Sequence, residues 1–200
     1  MKRILHLISS IQGNQSYSLQ LSRAILKKIL DKYPGSVVEE VDLNNVNIPH
    51  INSSLLQSMF TPADKYTEET RALLRYSDEA VAQLLAADIV VVGAPLYNLT
   101  VPSTLKAWLD HITRAGITFG YGENGPVGLV KDKKVYVAMS SGGVYADGPA
   151  KGADFVAPYL KSVFGLLGMT DVTVFRAEGV KVAGLKDTAL AKGIESIIID

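Results

Sequence analysis

Cysteine is absent from the 200 residues, and its absence removes a good deal of chemistry at once. The chain can form no disulfide and has no thiolate nucleophile and no Cys-ligated metal or cluster, a composition that fits a reducing compartment. Net charge is missing too, because 20 Lys and Arg balance 20 Asp and Glu. Without a basic excess the chain has neither the footprint of a nucleic-acid binder nor a polybasic membrane patch. No apolar run approaches the ~18 residues of a membrane-spanning helix. Lys2 and Arg3 ahead of Ile4-Leu5-His6-Leu7-Ile8 mimic the start of a signal peptide, but the run is too short and Ser9-Ser10 ends it. It reads as a first strand, and the default is a soluble cytoplasmic protein.

Histidine is scarce, with three in all. His6 falls inside the first strand and reads as a core residue. His50 lies in a loop-rich stretch, and His111, beside Asp110, either touches a neighbouring subunit or packs structurally. No His/Asp/Glu spacing matches a metal site, and no GxSxG elbow is present. With no protein nucleophile or metal in view, the chemistry falls to a cofactor.

Five short apolar runs are present: Arg3–Ser9, Val37–Leu43, Asp88–Ala94, Val135–Ser140 and Val172–Phe175. Segments with helical spacing separate them. Leu19, Ala24, Ile25, Ile29 and Leu30 mark one helix; Ala72, Leu73, Tyr76, Ala80, Leu84 and Leu85 mark another. Leu105, Trp108, Leu109 and Ile112 form a third set, and Val156, Leu160, Val163, Phe164 and Leu167 a fourth. A final helix is expected over roughly 185–199. Alternating strands and helices predict an α/β fold with right-handed crossovers. Five strands suit a flavodoxin-like parallel sheet of order 2-1-3-4-5, covered by helices on both faces. No repeat or linker divides residues 1–200, so one domain is expected. The stretch Asn44–Thr67 is long for a plain connection, and reads as a lid, binding loop or interface, or as a loop packed over the sheet edge.

Ligands of open α/β sheets bind outside the carboxyl ends of the strands. The third run ends there in Ala94-Pro95-Leu96-Tyr97-Asn98-Leu99-Thr100-Val101-Pro102, a Pro-bracketed loop. Its Tyr can stack on a ring, and Asn98 and the nearby amides can bond a polar edge, which points to a flavin. The first run leads into Ser9-Ser10-Ile11-Gln12-Gly13-Asn14-Gln15-Ser16-Tyr17-Ser18 and then a helix. Hydroxyls and free amides at a helix start can hold a phosphate, although a Ser there is also an ordinary N-cap. This loop is neither GxGxxG nor GxxxxGK[ST], against a dinucleotide Rossmann site and a P-loop NTPase. The fourth run ends in Ser140-Ser141-Gly142-Gly143-Val144-Tyr145, where paired glycines allow close backbone approach or positive φ, or simply a flexible turn. Three small-residue loops converging at one sheet edge carry the inference. The Gly- and aromatic-rich stretch 116–129 either walls a substrate pocket or forms a hairpin packed on its own surface.

These motifs, in this order, resemble the FMN-dependent NADH:azoreductases of the flavodoxin-like quinone reductase group. The specific marks are Ala-Pro-Leu-Tyr-Asn-Leu at 94–99, Arg114-Ala115-Gly116-Ile117-Thr118-Phe119, Glu123-Asn124-Gly125-Pro126 and Ser140-Ser141-Gly142-Gly143. Asp147-Gly148-Pro149 and Gly168-Met169-Thr170-Asp171-Val172 add to them, and the likeness spans essentially the whole chain. The resemblance implies a homodimer with two FMN sites at its interface, one tightly bound FMN per subunit, NADH or NADPH as donor, and quinones and azo compounds as acceptors. By position, Ser10, Ser16, Tyr17 and Ser18 would hold the phosphate and ribityl chain. Pro95, Leu96, Tyr97, Asn98 and Leu99 would line the isoalloxazine, and Ser140, Ser141, Gly142 and Gly143 its pyrimidine side.

Asn98 and the Gly142 and Gly143 amides are the expected stabilisers of the reduced flavin. Phe60, Tyr121 and Phe164 are the expected substrate-stacking residues, with Met59 beside Phe60 in the lid. The chain departs from the family pattern at Leu96, where Met is common, at Leu99, where an aromatic is usual, and at Ser141, often Arg. The implied cycle is ping-pong: NAD(P)H reduces the flavin and leaves, and the acceptor then takes two electrons. The rivals are a non-catalytic electron-transfer flavodoxin, a flavin-binding regulatory protein, and an FAD-using quinone reductase. Flavodoxins are shorter and strongly acidic with a TxTGxT-type loop, whereas this chain is neutral and carries Ser16-Tyr17-Ser18.

Overall fold

The computed structural model describes all 200 residues. The chain order is β1 (Arg3–Ile8), α1 (Tyr17–Lys32), β2 (Val37–Asp42), α2 (Ser53–Phe60), α3 (Glu68–Ala86), β3 (Ile89–Pro95) and α4 (Ser103–Ile112). A hairpin of β4 (Phe119–Gly122) and β5 (Gly125–Gly128) follows, then β6 (Lys134–Ser141), α5 (Ala157–Leu167), β7 (Asp171–Glu178) and α6 (Ala189–Glu195). The five long strands form one parallel sheet, ordered β2-β1-β3-β6-β7. This is the expected 2-1-3-4-5 arrangement, renumbered because the hairpin adds two strands before the fourth member.

β3 is buried along its whole length, as its β-branched run requires of a central parallel strand. The period of two sends its side chains to opposite faces. Val90 and Val92 join Leu7, Val137, Leu105, Trp108, Leu160 and Phe164 in the larger core. Ile89 and Val91 join Ile4, Ile25, Ile29, Ala138 and Phe175 in the smaller one, under α1 and α6. The sheet is thus covered on both sides, and its carboxyl-end edge carries three loops.

Two helices differ from expectation. α3 buries Leu74, Ser77, Ala80, Val81 and Leu84, while Leu85 is exposed. A serine on the buried face disguised the stripe: Ser77 Oγ donates to the His111 carbonyl at 2.6 Å and accepts from Arg114 Nη1 at 2.7 Å. α6 covers seven residues rather than the whole of 185–199. The residues before it are turns around the Leu185 carbonyl, and Ser196 Oγ takes the Gly193 carbonyl at 2.7 Å, a side-chain bond that competes with helix propagation.

The stretch 44–67 holds α2, capped by Asn52 Oδ1 accepting from the Leu55 N–H at 2.9 Å. His111 Nε2 donates to the Pro49 carbonyl at 2.7 Å, tying this stretch to α4. His111 is fully buried and serves packing within the chain.

Candidate active site

The three expected loops meet at the carboxyl ends of β1, β3 and β6 and enclose a cavity of about 550 Å³, within the range of small-molecule sites. Tyr17 lines it from the first loop, Pro95, Leu96, Tyr97, Asn98 and Leu99 from the second, and Ser140, Ser141, Gly142 and Gly143 from the third. A neighbouring cavity of about 570 Å³ shares Tyr97 and Asn98 and runs beside α4 past Lys106 and Tyr159. Tyr97 and Asn98 therefore stand between two openings.

The second loop is a tight turn. Tyr97 and Thr100 exchange N–H···O bonds of 3.0 and 3.1 Å across Asn98 and Leu99, whose φ angles are 50° and 71°. Positive φ at both central residues is the hairpin turn that normally selects Asn-Gly. Asn98 tolerates it; Leu99 carries a Cβ penalty there, strain of the sort concentrated at functional sites. The Phe155 N–H holds the turn by donating to the Leu99 carbonyl at 3.1 Å.

In the first loop, Ser10 Oγ lies 3.1 Å from the Tyr97 hydroxyl and accepts from the Gln12 N–H at 3.3 Å. Ser16 is the N-cap of α1: its Oγ accepts from the Leu19 N–H at 3.2 Å and lies 3.0 Å from Ser18 Oγ. Both serines are buried, and neither they nor Ser10 line the cavity. What the helix start offers is backbone, since the Tyr17 and Ser18 N–H groups have no acceptor in the chain.

In the third loop, Ser141 Oγ donates to the Gly143 carbonyl at 2.9 Å. Neither Gly142 nor Gly143 takes positive φ, which removes that one of the three alternatives. A Cβ added at Gly143 would press on the Tyr145 ring at 3.3 Å, whereas one at Gly142 would meet Lys181 Cδ at 3.4 Å, an ordinary contact. Both side chains line the cavity. The loop beyond is held by a charge cluster. Glu178 accepts the N–H groups of Tyr145 and Ala146 at 3.1 and 3.2 Å, and Arg176 bonds Glu178 at 3.1 Å and Asp154 at 2.6 Å. Asp154 Oδ1 in turn accepts from the Val156 and Ala157 N–H groups, capping α5.

Glu178, Arg176, Asp154 and Lys181 were not anticipated, and Gln12 and Tyr145 were named only as members of their loops. The last apolar run stops at Phe175, two strand residues short of the carboxylate that reaches the third loop. A signal was available: Arg176 and Glu178 continue the alternation of β7 toward the same sheet edge.

The aromatic residues divide. Phe60 and Tyr121 are 64% and 76% exposed and line neither cavity; Tyr121 packs edge-on against Phe119 with ring centroids 5.6 Å apart. The stretch 116–129 is the hairpin alternative. Phe164 is fully buried on the inner face of α5 with Leu160 and Leu167, so it has no surface to offer a substrate; that expectation is corrected.

The cavity suits a flat ring with one polar edge. Pro95 and Leu96 supply apolar wall, Tyr17 and Tyr97 aromatic surface, and the N–H groups of Asn98, Leu99, Gly142 and Gly143 have no acceptor in the chain. Unfilled amides beside the apolar wall of Pro95 and Leu96 match the polar edge of an isoalloxazine, and the Tyr17 N–H at the start of α1 matches a phosphate.

Comparison with known proteins agrees. The model of the flavodoxin-like fold family matches residues 2–198. An FMN-dependent NADH:quinone oxidoreductase of Herminiimonas arsenicoxydans is 43% identical over 198 residues, covering 98% of this chain and 97% of that protein. Its counterpart in Ralstonia nicotianae is 47% identical over 177 residues, covering 88% and 85%. An azoreductase from Bacillus anthracis superposes with a TM-score of 0.88 at 32% identity, covering 98% and 96%. An FMN-dependent NADH-azoreductase from the same species, solved in complex with FMN, gives 0.85 at 26%, covering 98% and 97%. With its topology, its three-loop cavity and these full-length likenesses, the chain belongs to the FMN-dependent NADH:quinone oxidoreductase and azoreductase family of flavodoxin-like proteins.

Proposed function

We propose that this chain, as one unit over residues 1–200, reduces quinones and azo compounds with NADH, holding FMN in the three-loop cavity. The observation that carries the reading is the set of four unfilled amides, at Asn98, Leu99, Gly142 and Gly143, facing a cavity with an apolar wall at Pro95 and Leu96. FMN bound there supplies two-electron transfer, taken from NADH and passed to the acceptor in alternate half-reactions.

The chain's own residues bind, orient and stabilise. The Tyr17 N–H group, at the positive end of a 16-residue helix, receives the phosphate, with Ser10, Ser16 and Ser18 shaping the loop around it. Leu96, Tyr97 and Leu99 cover the ring. The Asn98 side chain and the Gly142 and Gly143 amides donate to its polar edge, preorganised where negative charge develops. No step requires a protein nucleophile. One open face serves donor and acceptor in turn, which suits flat substrates of varied structure.

Phe60 and Tyr121 lie outside the cavity of their own subunit, so the reading assigns them to the partner's cavity in a homodimer. NADH as donor supports a cytoplasmic location; no helix of the chain is long and apolar enough to cross a membrane. The test is steady-state NADH oxidation with benzoquinone and FMN. Parallel double-reciprocal lines are expected, and no turnover above free FMN would refute the reading. Sedimentation of the FMN-loaded protein as a monomer would refute the dimer.

A further inference from the structure

Of the fourteen residues that line the three-loop cavity, Lys181 alone has a charged side chain. Its place is set by backbone. Beyond β7, the N–H groups of Gly179, Val180 and Lys181 donate to the carbonyls of Gly143, Ser141 and Gly142 at 2.9, 3.2 and 3.1 Å. The segment is thereby zipped along the third loop. The stem of Lys181 lies on Gly142: a Cβ built there would be 3.4–3.7 Å from its Cδ, Cγ and Cβ. From the other side Glu178 grips the Tyr145 and Ala146 amides and is itself held by Arg176. Lys181 takes part in none of the chain's ion pairs. Lys181 is exposed, its backbone is held by the third loop, and its unpaired ammonium is available as a counter-charge to an anion in the cavity.

We propose that Lys181 is the electrostatic partner of the reduced flavin ring and raises the cofactor's two-electron potential. This rests on the reading that FMN fills the cavity. FMN offers two anionic groups. Its phosphate matches the unfilled Tyr17 amide at the start of α1, on the first loop, whereas Lys181 stands beside the third loop against Gly142. The second anion arises in turnover. NADH delivers two electrons and one proton and leaves as NAD⁺, so the ring gains one net negative charge. A cation nearby favours that state over the neutral oxidised ring, and water excluded by a stacked substrate strengthens the effect. A lysine tethered by its stem does this without a proton transfer.

The test uses full-length Lys181→Met and Lys181→Arg proteins. Affinities for oxidised FMN and riboflavin are read by fluorescence quenching, and the potential by anaerobic titration against a reference dye. Lys181→Met is expected to keep oxidised FMN affinity within about threefold. It should bind reduced flavin about tenfold less well relative to oxidised, a fall of about 30 mV for a two-electron couple. Lys181→Arg should restore most of that difference. An unchanged potential in Lys181→Met overturns the assignment. So does a loss of affinity for FMN but not riboflavin at constant potential, which would put Lys181 on the phosphate. Failure of the unaltered protein to bind FMN would instead overturn the flavin reading on which the proposal stands.

Discussion

The Tyr97 hydroxyl lies 3.1 Å from Ser10 Oγ, so the loop after β3 is bonded directly to the loop after β1. The two strands are neighbours in the sheet, and this contact sets the spacing of their loops at one end of the cavity. A single neutral hydrogen bond of this type contributes about 1 kcal/mol. Tyr97→Phe keeps the ring and removes the bond, and is expected to weaken FMN binding about fivefold, the equivalent of that energy. Ser10→Ala should do the same, and the double variant little more. Equal, additive losses from the two changes would show that the residues act separately.

Asn98 carries two roles that substitution can separate. Its φ of 50° favours Asn or Gly, and its side chain sits at the cavity wall. Asn98→Gly keeps the turn and removes the amide; Asn98→Ala removes the amide and strains the turn. If the amide stabilises developing charge, both should lower the rate of flavin reduction by NADH, by roughly ten- to a hundredfold. Stopped-flow absorbance gives that rate. A Gly variant with an unaltered rate would leave Asn98 a turn residue only.

Much of this site was legible in the sequence because each loop follows a buried strand with punctuation of its own: Pro95 and Pro102 around the second, paired serines and glycines after β6. Glu178 could have been read from the alternation of β7, but Lys181 was not legible, because it reaches the third loop through sheet adjacency between β6 and β7, and adjacency leaves no mark in local spacing. Phe164 misled for the converse reason. An aromatic in an apolar helix stripe reads equally as ligand contact or core, and burial against the sheet decided for the core. The serines at 16 and 18 were legible as a helix start, yet the free donors there are backbone N–H groups.

Acid should destabilise the protein through two buried imidazoles. Burial lowers the pKa of His6, against the opposing pull of Glu40 2.9 Å from its Nδ1. Burial likewise lowers that of His111, whose Nδ1 has no partner. A folded pKa below the unfolded value means that the unfolded chain binds more protons as pH falls below about 6.5. Stability is therefore full above that pH and is lost as the pH drops through the folded values. Calorimetry should show a flat Tm above about pH 7 and a decline toward pH 5, with a shallower decline in His111→Gln. A Tm that rises on acidification would contradict this.

The hairpin is docked on α5 through glycine. A Cβ at Gly128 would overlap the Gly168 nitrogen and Cα and the Leu167 carbonyl carbon, all of them backbone, with nothing flexible to yield. Gly128→Ala should therefore cost about 2 kcal/mol or more and lower Tm by roughly 5 °C. Gly125→Ala meets no atom but has a φ of 112°, so its cost is backbone strain alone. A Gly128→Ala protein as stable as the parent would mean that the hairpin does not pack on α5 in this way.

The most direct test of a flavin site built for two-electron reduction is the visible spectrum of the FMN-loaded protein, recorded anaerobically before and after NADH. Bound flavin should bleach to the fully reduced form without radical absorbance and recover its colour when benzoquinone is added. Flavin that stays oxidised in the presence of NADH, or a protein that binds no flavin, would contradict the account.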